Sequence, residues 1–397
     1  MYHCAACGAE GTLDVVFELE RVKKELTREY LENNDDRSLW RYFPILPLET
    51  KRGAAPLQVG WTPLYKSRRL EELLGVRDVY LKDDGRNPTA SFKDRASAIG
   101  VAKAVELGKN VMCAASTGNA ASSLSGFAAC MGIKNYIFVP KAIPEGKLAQ
   151  LLVFGSEVIL VDGDYDAAFD FCLEAAEHFG WYNRSCAINP YLCEGKKTAA
   201  FEICEQLGFH APDVCAMSVG DGCSISGVWK GFTEFYELGL TDRLPRMISV
   251  QAERSNPVNR AFRAGKRGFD YIRPQTVADS ISVGIPRNGY KALNALTNSG
   301  GLAVDVSDAE ILEAMTVLAR HTGVFGEPAG VAAFAGLLKL ARRGELEKDL
   351  SVAFIVSGNG LKDVKSAQKA VKPPETIKPD MDELISYVNN NAKEKRQ

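Results

Sequence analysis

Apolar and polar positions alternate along most of this chain in the manner of an α/β protein. Short apolar runs predict strands, and stretches with an apolar residue every three or four positions predict helices between most of them. The predicted strands are Val79–Lys82, Val111–Ala115, Tyr136–Val139, Val158–Val161, Val214–Val219, Met247–Gln251, Leu302–Val306 and Val352–Val356. Strands that alternate with helices indicate parallel sheets covered by helices on both faces, which is the three-layer αβα arrangement.

Several helices have clear signals within this pattern. Residues Ala167–Phe179 and Thr198–Leu207 each carry an apolar stripe at helical spacing. Ser307 and Glu310 have the spacing of a capping box, which predicts a helix that runs to Arg320.

The two ends of the chain differ from the central pattern. Residues 1–55 form an N-terminal extension, in which a charged segment leads to the aromatic stretch 39–44. We expect this stretch to dock on the main body. Residues 373–397 are polar and charged, and we expect them to form a frayed tail.

Composition narrows the class of protein. The chain has 397 residues, of which 46% are hydrophobic and 25% charged, as in a soluble globular protein large enough for two domains. A net charge of -2 gives no reason to expect nucleic acid or an anionic membrane as a partner. No apolar run approaches the roughly 20 residues that span a bilayer, and the N-terminus lacks a signal-peptide pattern. We therefore expect a cytoplasmic protein.

Most of the ten cysteines lie in apolar runs, and their spacing indicates no disulfide framework. Cys4 and Cys7 differ, because Cys-x-x-Cys followed by glycine resembles one knuckle of a zinc ribbon. A closed structural zinc site needs four ligands, and no second Cys-x-x-Cys follows. His3 would make poor geometry beside Cys4. We therefore expect no bound metal.

The segment Asn87–Arg95, which reads Asn-Pro-Thr-Ala-Ser-Phe-Lys-Asp-Arg, carries the most informative chemistry. Pro88 directs the preceding residue away from helical geometry. Ser91 is a suitable N-cap for a helix predicted over residues 92–107. Lys93 would then lie in the first turn, where the helix dipole and partial burial disfavour an ammonium. A lysine that loses its proton easily suits Schiff-base chemistry on a carbonyl cofactor.

Two turns of small residues each follow a predicted strand and precede a predicted helix. One is Cys113–Ser122 and the other is Val219–Gly227. Such turns expose backbone N–H groups that can bind phosphate. The second turn resembles the dinucleotide fingerprint, but its third glycine comes too late. Glu253, at the end of the next predicted strand, leaves a nicotinamide dehydrogenase as an alternative.

A third turn, Ser357–Gly360, follows the last predicted strand. Ligands of parallel α/β sheets bind at the carboxyl ends of the strands. All three turns are therefore expected to converge on one cleft.

Taken together, these segments resemble the threonine synthase branch of the tryptophan-synthase-β type (fold type II) of pyridoxal-phosphate enzymes. Asn87–Arg95 is similar to the lysine motif of that branch, with Ala90 where glycine is usual. The second, phosphate-loop and C-terminal motifs are matched by residues 116–119, 220–224 and 357–363. The resemblance covers residues 1 to about 372, and its motifs are more specific for cofactor and fold than for substrate.

The resemblance also implies a domain organisation and an assembly. A large cofactor-binding α/β domain would comprise residues 56–95 and 186–372, and a smaller α/β domain would comprise residues 96–185. A homodimer that acts on a small amino-acid substrate is expected.

The resemblance assigns roles to the motif residues. Lys93 would hold the cofactor, pyridoxal 5'-phosphate, covalently, and its amine would move protons once substrate replaces it. Asn119 would hydrogen-bond the ring hydroxyl oxygen. Ser357 would face the pyridine nitrogen, where a hydroxyl suits elimination and replacement better than transamination. The remaining assignments are Ser116 and Thr117 for the substrate carboxylate, and the backbone N–H groups of Gly220, Asp221, Gly222, Cys223 and Ser224 for the cofactor phosphate.

Three positions raise questions about this assignment. Asp221 would place a carboxylate beside a phosphate, so it must point away or serve another partner. Leu192 stands where the family uses an arginine for the phosphate of O-phosphohomoserine, and leucine cannot make that contact. Lys196, where glutamine is usual, adds a positive charge that could compensate, although a surface lysine is the simpler interpretation.

The resemblance implies conversion of O-phospho-L-homoserine and water to L-threonine and phosphate by γ-elimination and β-addition. The alternative among enzymes is a threonine or serine dehydratase (ammonia-lyase), or a β-replacement enzyme. The alternative outside enzymes is a catalytically silent ligand-binding paralogue, against which the intact Lys93 and Asn119 argue.

Overall fold

The computed structural model describes residues 4, 6, 7, 11–141, 143, 145–186 and 188–394. Its strands are β1 Leu64–Lys66, β2 Asp78–Asp83, β3 Val111–Ala115, β4 Lys134–Pro140, β5 Glu157–Val161, β6 Tyr182–Asn183, β7 Val214–Ser218, β8 Arg246–Ala252, β9 Leu302–Val306 and β10 Ser351–Val356. Its α-helices are α1 Leu19–Glu25, α2 Arg28–Glu32, α3 Arg68–Leu74, α4 Lys93–Glu106, α5 Asn119–Cys130, α6 Glu145–Val153, α7 Tyr165–Phe179, α8 Tyr191–Gln206, α9 Cys223–Glu237, α10 Pro257–Arg263, α11 Gly289–Asn298, α12 Asp308–Thr322, α13 Pro328–Arg342, α14 Val364–Lys369 and α15 Met381–Glu394.

The strands form two sheets. The larger has the order β1-β2-β10-β7-β8-β9, and the smaller has the order β5-β4-β3-β6. Every pairing is parallel except that of β1 with β2. The predicted α/β class with two parallel sheets is therefore confirmed. The short β1 and β6 were missed, because two or three residues are too few to show a strand pattern. The exact domain boundaries stay a prediction.

Both faces of the large sheet are buried, as the αβα interpretation requires. In β10, Ala353 and Ile355 pack on one side with residues of α8, α9 and α11. Val352 and Phe354 pack on the other side with residues of α12 and α13. Alternate residues of a strand point to opposite faces of the sheet, so each face of the sheet has its own core.

The capping box at the start of α12 is confirmed, since the Glu310 backbone N–H donates to the Ser307 side chain and the Ser307 backbone N–H donates to the Glu310 carboxylate. The aromatic stretch of the extension docks as expected. Arg41 is 1% exposed and its guanidinium pairs with Glu205 at 2.5 Å, to which the Tyr42 hydroxyl also donates. The expectation of a frayed tail was wrong in part, because residues 381–394 form the helix α15.

A buried ion network fixes the start of α4 to the large sheet. The Arg95 guanidinium binds Asp84 at 2.6 Å and Glu202 at 2.5 Å, and Lys82 binds Glu202 at 2.7 Å. All four side chains are 0% exposed. A paired buried charge loses its compensation if one partner is removed, so this network resists displacement of the helix that carries Lys93.

Helices α4 and α8 cross at very short distance. Gly195 of α8 lies against the Arg95 carbonyl, which leaves no space for a Cβ. On the preceding turn, the Leu192 side chain fills the space beside Gly100 of α4. This contact joins the helix of Lys93 to the helix of Lys196.

Gly195→Ala is expected to lower the free energy of unfolding by more than about 2 kcal/mol, because the added methyl group forces the two helices apart. Urea unfolding followed by circular dichroism measures the change. Gly268→Ala is the matched control, since nothing lies within 4 Å of a Cβ at that position. Equal effects of the two substitutions would contradict the close crossing.

Candidate active site

Lys93 lies in the first turn of α4, as predicted, and is its first residue, but Ser91 is not the N-cap of this helix. Phe92 occupies that position and makes no side-chain cap. Ser91 instead forms a β-bridge with Gly358, and the Phe92 N–H donates to the Ser357 carbonyl at 2.9 Å. Tertiary pairing between the lysine motif and the C-terminal motif therefore replaces the local cap.

Ala90 lies in the left-handed region, with φ of 64°. Glycine adopts that conformation at no steric cost, which explains why glycine is usual at this place in the motif. The Asn359 N–H donates to the Ala90 carbonyl at 3.0 Å, so the strained residue is held by the C-terminal motif.

The Lys93 amine has the character that the sequence suggested. Burial lowers the pKa of Lys93, and the charge of the nearby Lys196 lowers it further. More of the amine is therefore neutral near pH 7 than in an exposed lysine, as attack on a carbonyl requires.

Lys93 belongs to a cluster of three cations with Lys196 and Arg184, which we call the cation cluster. Arg184 is 2% exposed and Lys196 is 1% exposed. Arg184 donates to the Lys93 carbonyl at 3.1 Å and lies 3.6 Å from the Cys186 sulfur. Among the residues that the structure describes, no carboxylate pairs with any of the three. Burial opposes ionisation of the neighbouring Cys186 thiol, but the charges of the three cations lower its pKa below the usual value. The cluster thus favours negative charge beside it and is suited to an anion.

Lys196 is not the surface lysine that was the simpler interpretation. It packs against Gly227 of α9. Burial lowers the pKa of Lys196, but attraction to negative charge on the nearby cysteine sulfurs, that of Cys186 first, more than offsets this, and the pKa is raised above its usual value. Lys196 therefore stays charged beside the turn that precedes α9.

The turn 220–224 forms a cradle between β7 and the start of α9. Gly222 has φ of 91°, and a Cβ there would lie 2.7 Å from the Asn288 carbonyl oxygen. A Cβ on Gly220 would lie 3.0 Å from Ile281 Cα. No side chain caps the N-terminus of α9, so its first N–H groups are available to an anion.

The question about Asp221 has a structural answer. Its carboxylate accepts from the Arg287 backbone N–H at 3.2 Å, and its carbonyl accepts from the Asn288 N–H at 2.9 Å. The acid thus serves the segment that encloses the turn. Burial lowers the pKa of Arg287, but the negative charges near it, that of Asp221 first, outweigh this effect and raise the pKa above its usual value.

Asn119 is the first residue of α5 and is 7% exposed. Its side-chain amide donates to Glu327 at 2.7 Å and lies 3.5 Å from the Ser280 hydroxyl. Ser116 and Thr117 precede it in the partly exposed turn, where the Ser116 hydroxyl accepts from the Gly118 N–H.

The second and C-terminal motifs line one cleft, as was expected of them, whereas the turn 220–224 is not among its lining residues. The cleft has a volume of about 870 Å³ and is formed by residues of α5, α6, the start of α13 and the segment that follows β10. Its lining includes Thr117, Gly118, Asn119, Lys147, Glu327, Asn359 and Lys362. The partly exposed Ser357 adjoins it at the end of β10.

Sequence reasoning missed Arg184, Glu327 and Lys362. Glu327 is 5% exposed, and burial raises its pKa to about 7 while the Lys362 charge opposes the rise. Lys362 donates to the Ser122 hydroxyl at 3.0 Å. A signal for Glu327 was present, because Glu-Pro-Ala-Gly opens a helix whose first turn reaches the strand ends. Arg184 had no such signal.

These residues fit pyridoxal 5'-phosphate. Lys93 supplies an amine of lowered pKa, the turn 220–224 supplies the uncapped N-terminus of α9, and the cation cluster supplies positive charge. Asn119 and Ser357 supply polar side chains that could bind the cofactor ring. No group of three potential metal ligands is found in the described part of the chain, which includes Cys4 and Cys7 but not His3.

Comparison with known proteins decides the family. A family model described as pyridoxal-phosphate dependent enzyme matches residues 55–358. The threonine synthase of Methanocaldococcus jannaschii is 41% identical over 95% of this chain and 93% of its own length. That of Methanosarcina acetivorans is 38% identical over 99% of this chain and 100% of its own. The chain belongs to the pyridoxal-phosphate-dependent enzymes, among the threonine synthases.

Solved structures agree with this placement at the level of fold. Threonine deaminase isoform 2 of Solanum lycopersicum has a TM-score of 0.66 at 21% identity, over 78% of this chain and 87% of its own. Diaminopropionate ammonia lyase of Escherichia coli has a TM-score of 0.69 at 19% identity, and the match covers 86% of this chain and 92% of that protein. Membership makes this chain a pyridoxal-phosphate-dependent lyase of the threonine synthase type, and the nicotinamide alternative falls away.

Reduction of the holoenzyme with borohydride is expected to place the pyridoxyl group on Lys93, because this amine has the lowered pKa and the motif position. Peptide mapping by mass spectrometry identifies the residue. Lys93→Ala is expected to keep weak cofactor binding without a covalent link and to lose turnover. A pyridoxyl group on Lys196 or another lysine would overturn the assignment.

Gly222→Val is expected to weaken cofactor binding at least about tenfold, or roughly 1.4 kcal/mol, because the side chain strains a positive φ and collides with Asn288 and Ala292, which displaces the turn. Fluorescence titration of the apoenzyme with pyridoxal 5'-phosphate measures the affinity. Gly265→Val is the control, since Gly265 also has positive φ but open space around it. Normal affinity in Gly222→Val would place the phosphate elsewhere.

Proposed function

We propose that this enzyme converts O-phospho-L-homoserine and water to L-threonine and phosphate. The observation that carries the proposal is the cation cluster, where Lys93, Arg184 and Lys196 have no carboxylate partner among the described residues. One phosphate belongs to the cofactor. A substrate that brings a second phosphate would use the remaining positive charge.

Lys196 is well placed to replace the family's arginine. Leu192 and Lys196 lie one turn apart on α8, so their side chains start from the same side of the helix. Leu192 itself is 0% exposed and packs on α4. The ammonium of Lys196 would thus bind the substrate phosphate that the family binds with an arginine at position 192.

Each site residue then has a chemical task. When bound, pyridoxal 5'-phosphate supplies an electron sink for negative charge on the amino acid. Lys93 Nζ holds the cofactor and then moves protons at Cα and Cβ of the substrate. The turn 116–119 binds the substrate carboxylate, and Ser357 leaves the cofactor ring mostly unprotonated. The backbone of the turn 220–224 binds the cofactor phosphate.

The dehydratase alternative has weaker support. Relatives that are 38–41% identical over most of the chain are threonine synthases, whereas the deaminase and ammonia-lyase structures are 19–24% identical and share the fold. The retained Lys93 amine and Asn119 amide favour an enzyme over a silent paralogue.

We further propose a cytoplasmic homodimer. All ten cysteines are free thiols, which suits a reducing compartment, and none of the described helices has the length and apolar character of a bilayer-spanning segment. The dimer rests on the family resemblance. Light scattering coupled to size-exclusion chromatography measures the assembly, and a monomer would contradict it.

Lys196→Ala is expected to lower kcat/KM for O-phosphohomoserine roughly ten- to a hundredfold, since a charge-assisted contact contributes about 1.5–3 kcal/mol. Activity on an unphosphorylated amino acid such as threonine should change little. Release of phosphate, threonine and 2-oxo acid is measured separately. Lys196→Met, which keeps the aliphatic length, separates the loss of charge from the loss of packing.

Lys103→Ala is the control, because Lys103 pairs with Glu106 on the outer part of α4. Cofactor content is measured in each variant. Loss of cofactor from both Lys196 variants would assign the lysine to the cofactor phosphate instead. Turnover of serine or threonine by the unmodified enzyme, without turnover of O-phosphohomoserine, would favour the dehydratase.

A further inference from the structure

Glu327 is a buried acid that the proposed reaction leaves without a task. It precedes α13 and is 5% exposed. Its backbone N–H donates to the Gly358 carbonyl at 3.0 Å, and its side chain covers Gly358 so closely that a Cβ would not fit there. Glu327 thus contacts both Asn119 and Gly358 of the C-terminal motif, and Gly358 directly follows Ser357, the residue proposed to face the pyridine nitrogen.

The hydrogen bond to Asn119 has a defined direction. An ionised carboxylate can only accept hydrogen bonds, so Glu327 fixes the amide NH₂ of Asn119 toward itself at 2.7 Å. The nearest other acceptor of that NH₂ is the Ser280 hydroxyl at 3.5 Å, which is at the limit of a hydrogen bond. The second N–H of the amide is therefore available to a ligand in the cleft.

We propose that Glu327 is a positioning residue that orients the Asn119 amide, so that its second N–H donates to the ring hydroxyl oxygen of the bound cofactor. This inference rests on the proposed role of Asn119. It adds a residue that determines whether Asn119 presents a donor or an acceptor to that oxygen.

The charges around Glu327 make this orientation sensitive to pH. Lys362, Lys147 and Lys93 face it from three elements, and Asp279 pairs with Lys147 at 2.5 Å. Burial raises the pKa of Glu327 to about 7, against the opposing effects of these cations and of Asn119. Above that pH the acid is ionised and only accepts. Below it, the protonated acid can donate to the Asn119 carbonyl oxygen, and the amide orientation is no longer fixed.

The test is a pH titration of the visible absorption of the holoenzyme between pH 5.5 and 8.5. The ring hydroxyl contributes to this absorption, so the spectrum of the unmodified enzyme is expected to change with a midpoint near 7. Glu327→Gln is expected to remove that transition. Lys362→Met is expected to move it to higher pH, because a charge that favours the ionised acid is lost.

Cofactor affinity provides a second readout in a double-mutant cycle. Glu327→Gln is expected to weaken cofactor binding about tenfold, as is Asn119→Ala, and the double variant should bind no more weakly than Asn119→Ala alone. Glu327→Asp, whose shorter side chain retracts from Asn119, should behave like Glu327→Gln. Glu310→Gln is the control, since Glu310 is a carboxylate that pairs with Lys339 and does not line the cleft.

Additive losses in the double variant, or a pH transition that persists in Glu327→Gln, would overturn the proposal. A variant that fails to fold does not stop the test, because the Lys362→Met shift and the Glu327→Asp variant each report on the same coupling. Failure of the unmodified enzyme to turn over O-phosphohomoserine would contradict the proposed function while leaving these spectral outcomes to decide the role of Glu327.

Discussion

The buried pairing of Arg95 with Asp84 and Glu202 is the interaction on which the site depends. Arg95 lies two residues after Lys93 in the first turn of α4. The ion pairs that hold Arg95 therefore also hold the start of the helix that carries Lys93. The pairing is fully buried and is shared with Lys82. Removal of one member of such a network leaves an uncompensated charge in a medium of low dielectric. The position of the Lys93 amine is therefore determined by ions that take no part in the chemistry.

The molecule treats its buried cations in two ways. Those of the network have carboxylate partners and stay structural. Those of the cation cluster have thiols, backbone carbonyls and the N-terminus of α9 as neighbours, and their charge is left for a ligand. Burial lowers the pKa of Lys93, and the same difference lowers it further, because an amine beside another cation and away from carboxylates releases its proton more easily.

The departure from the family at Leu192 is also a matter of packing. The α4–α8 crossing is close at Gly195, and Leu192 fills the adjoining space beside Gly100. Leu192 thus contributes to the contact between the two helices, while Lys196 supplies a positive charge one turn away. The two positions are best understood as a pair.

The sequence by itself determined the α/β class, most of the strands and the four motifs, because each is encoded in local periodicity or in residue types at fixed spacing. The capping box at Ser307 was predictable for the same reason. Ser91 was not, because its neighbourhood is decided by Gly358, which lies far away in the chain. The tail was misjudged at α15, because a polar and charged composition does not by itself exclude a helix.

Only the tertiary structure decided which charged residues are paired and which are not. Lys82, Lys196 and Lys362 cannot be told apart by residue type. In the structure, Lys82 pairs with Glu202, Lys196 belongs to the cation cluster and Lys362 faces Glu327. Asp221 looked unsuited to a phosphate turn until its carboxylate was seen to accept from Arg287. Burial and the direction of a hydrogen bond depend on contacts between distant segments, and these set the charge and the donor or acceptor character of each group.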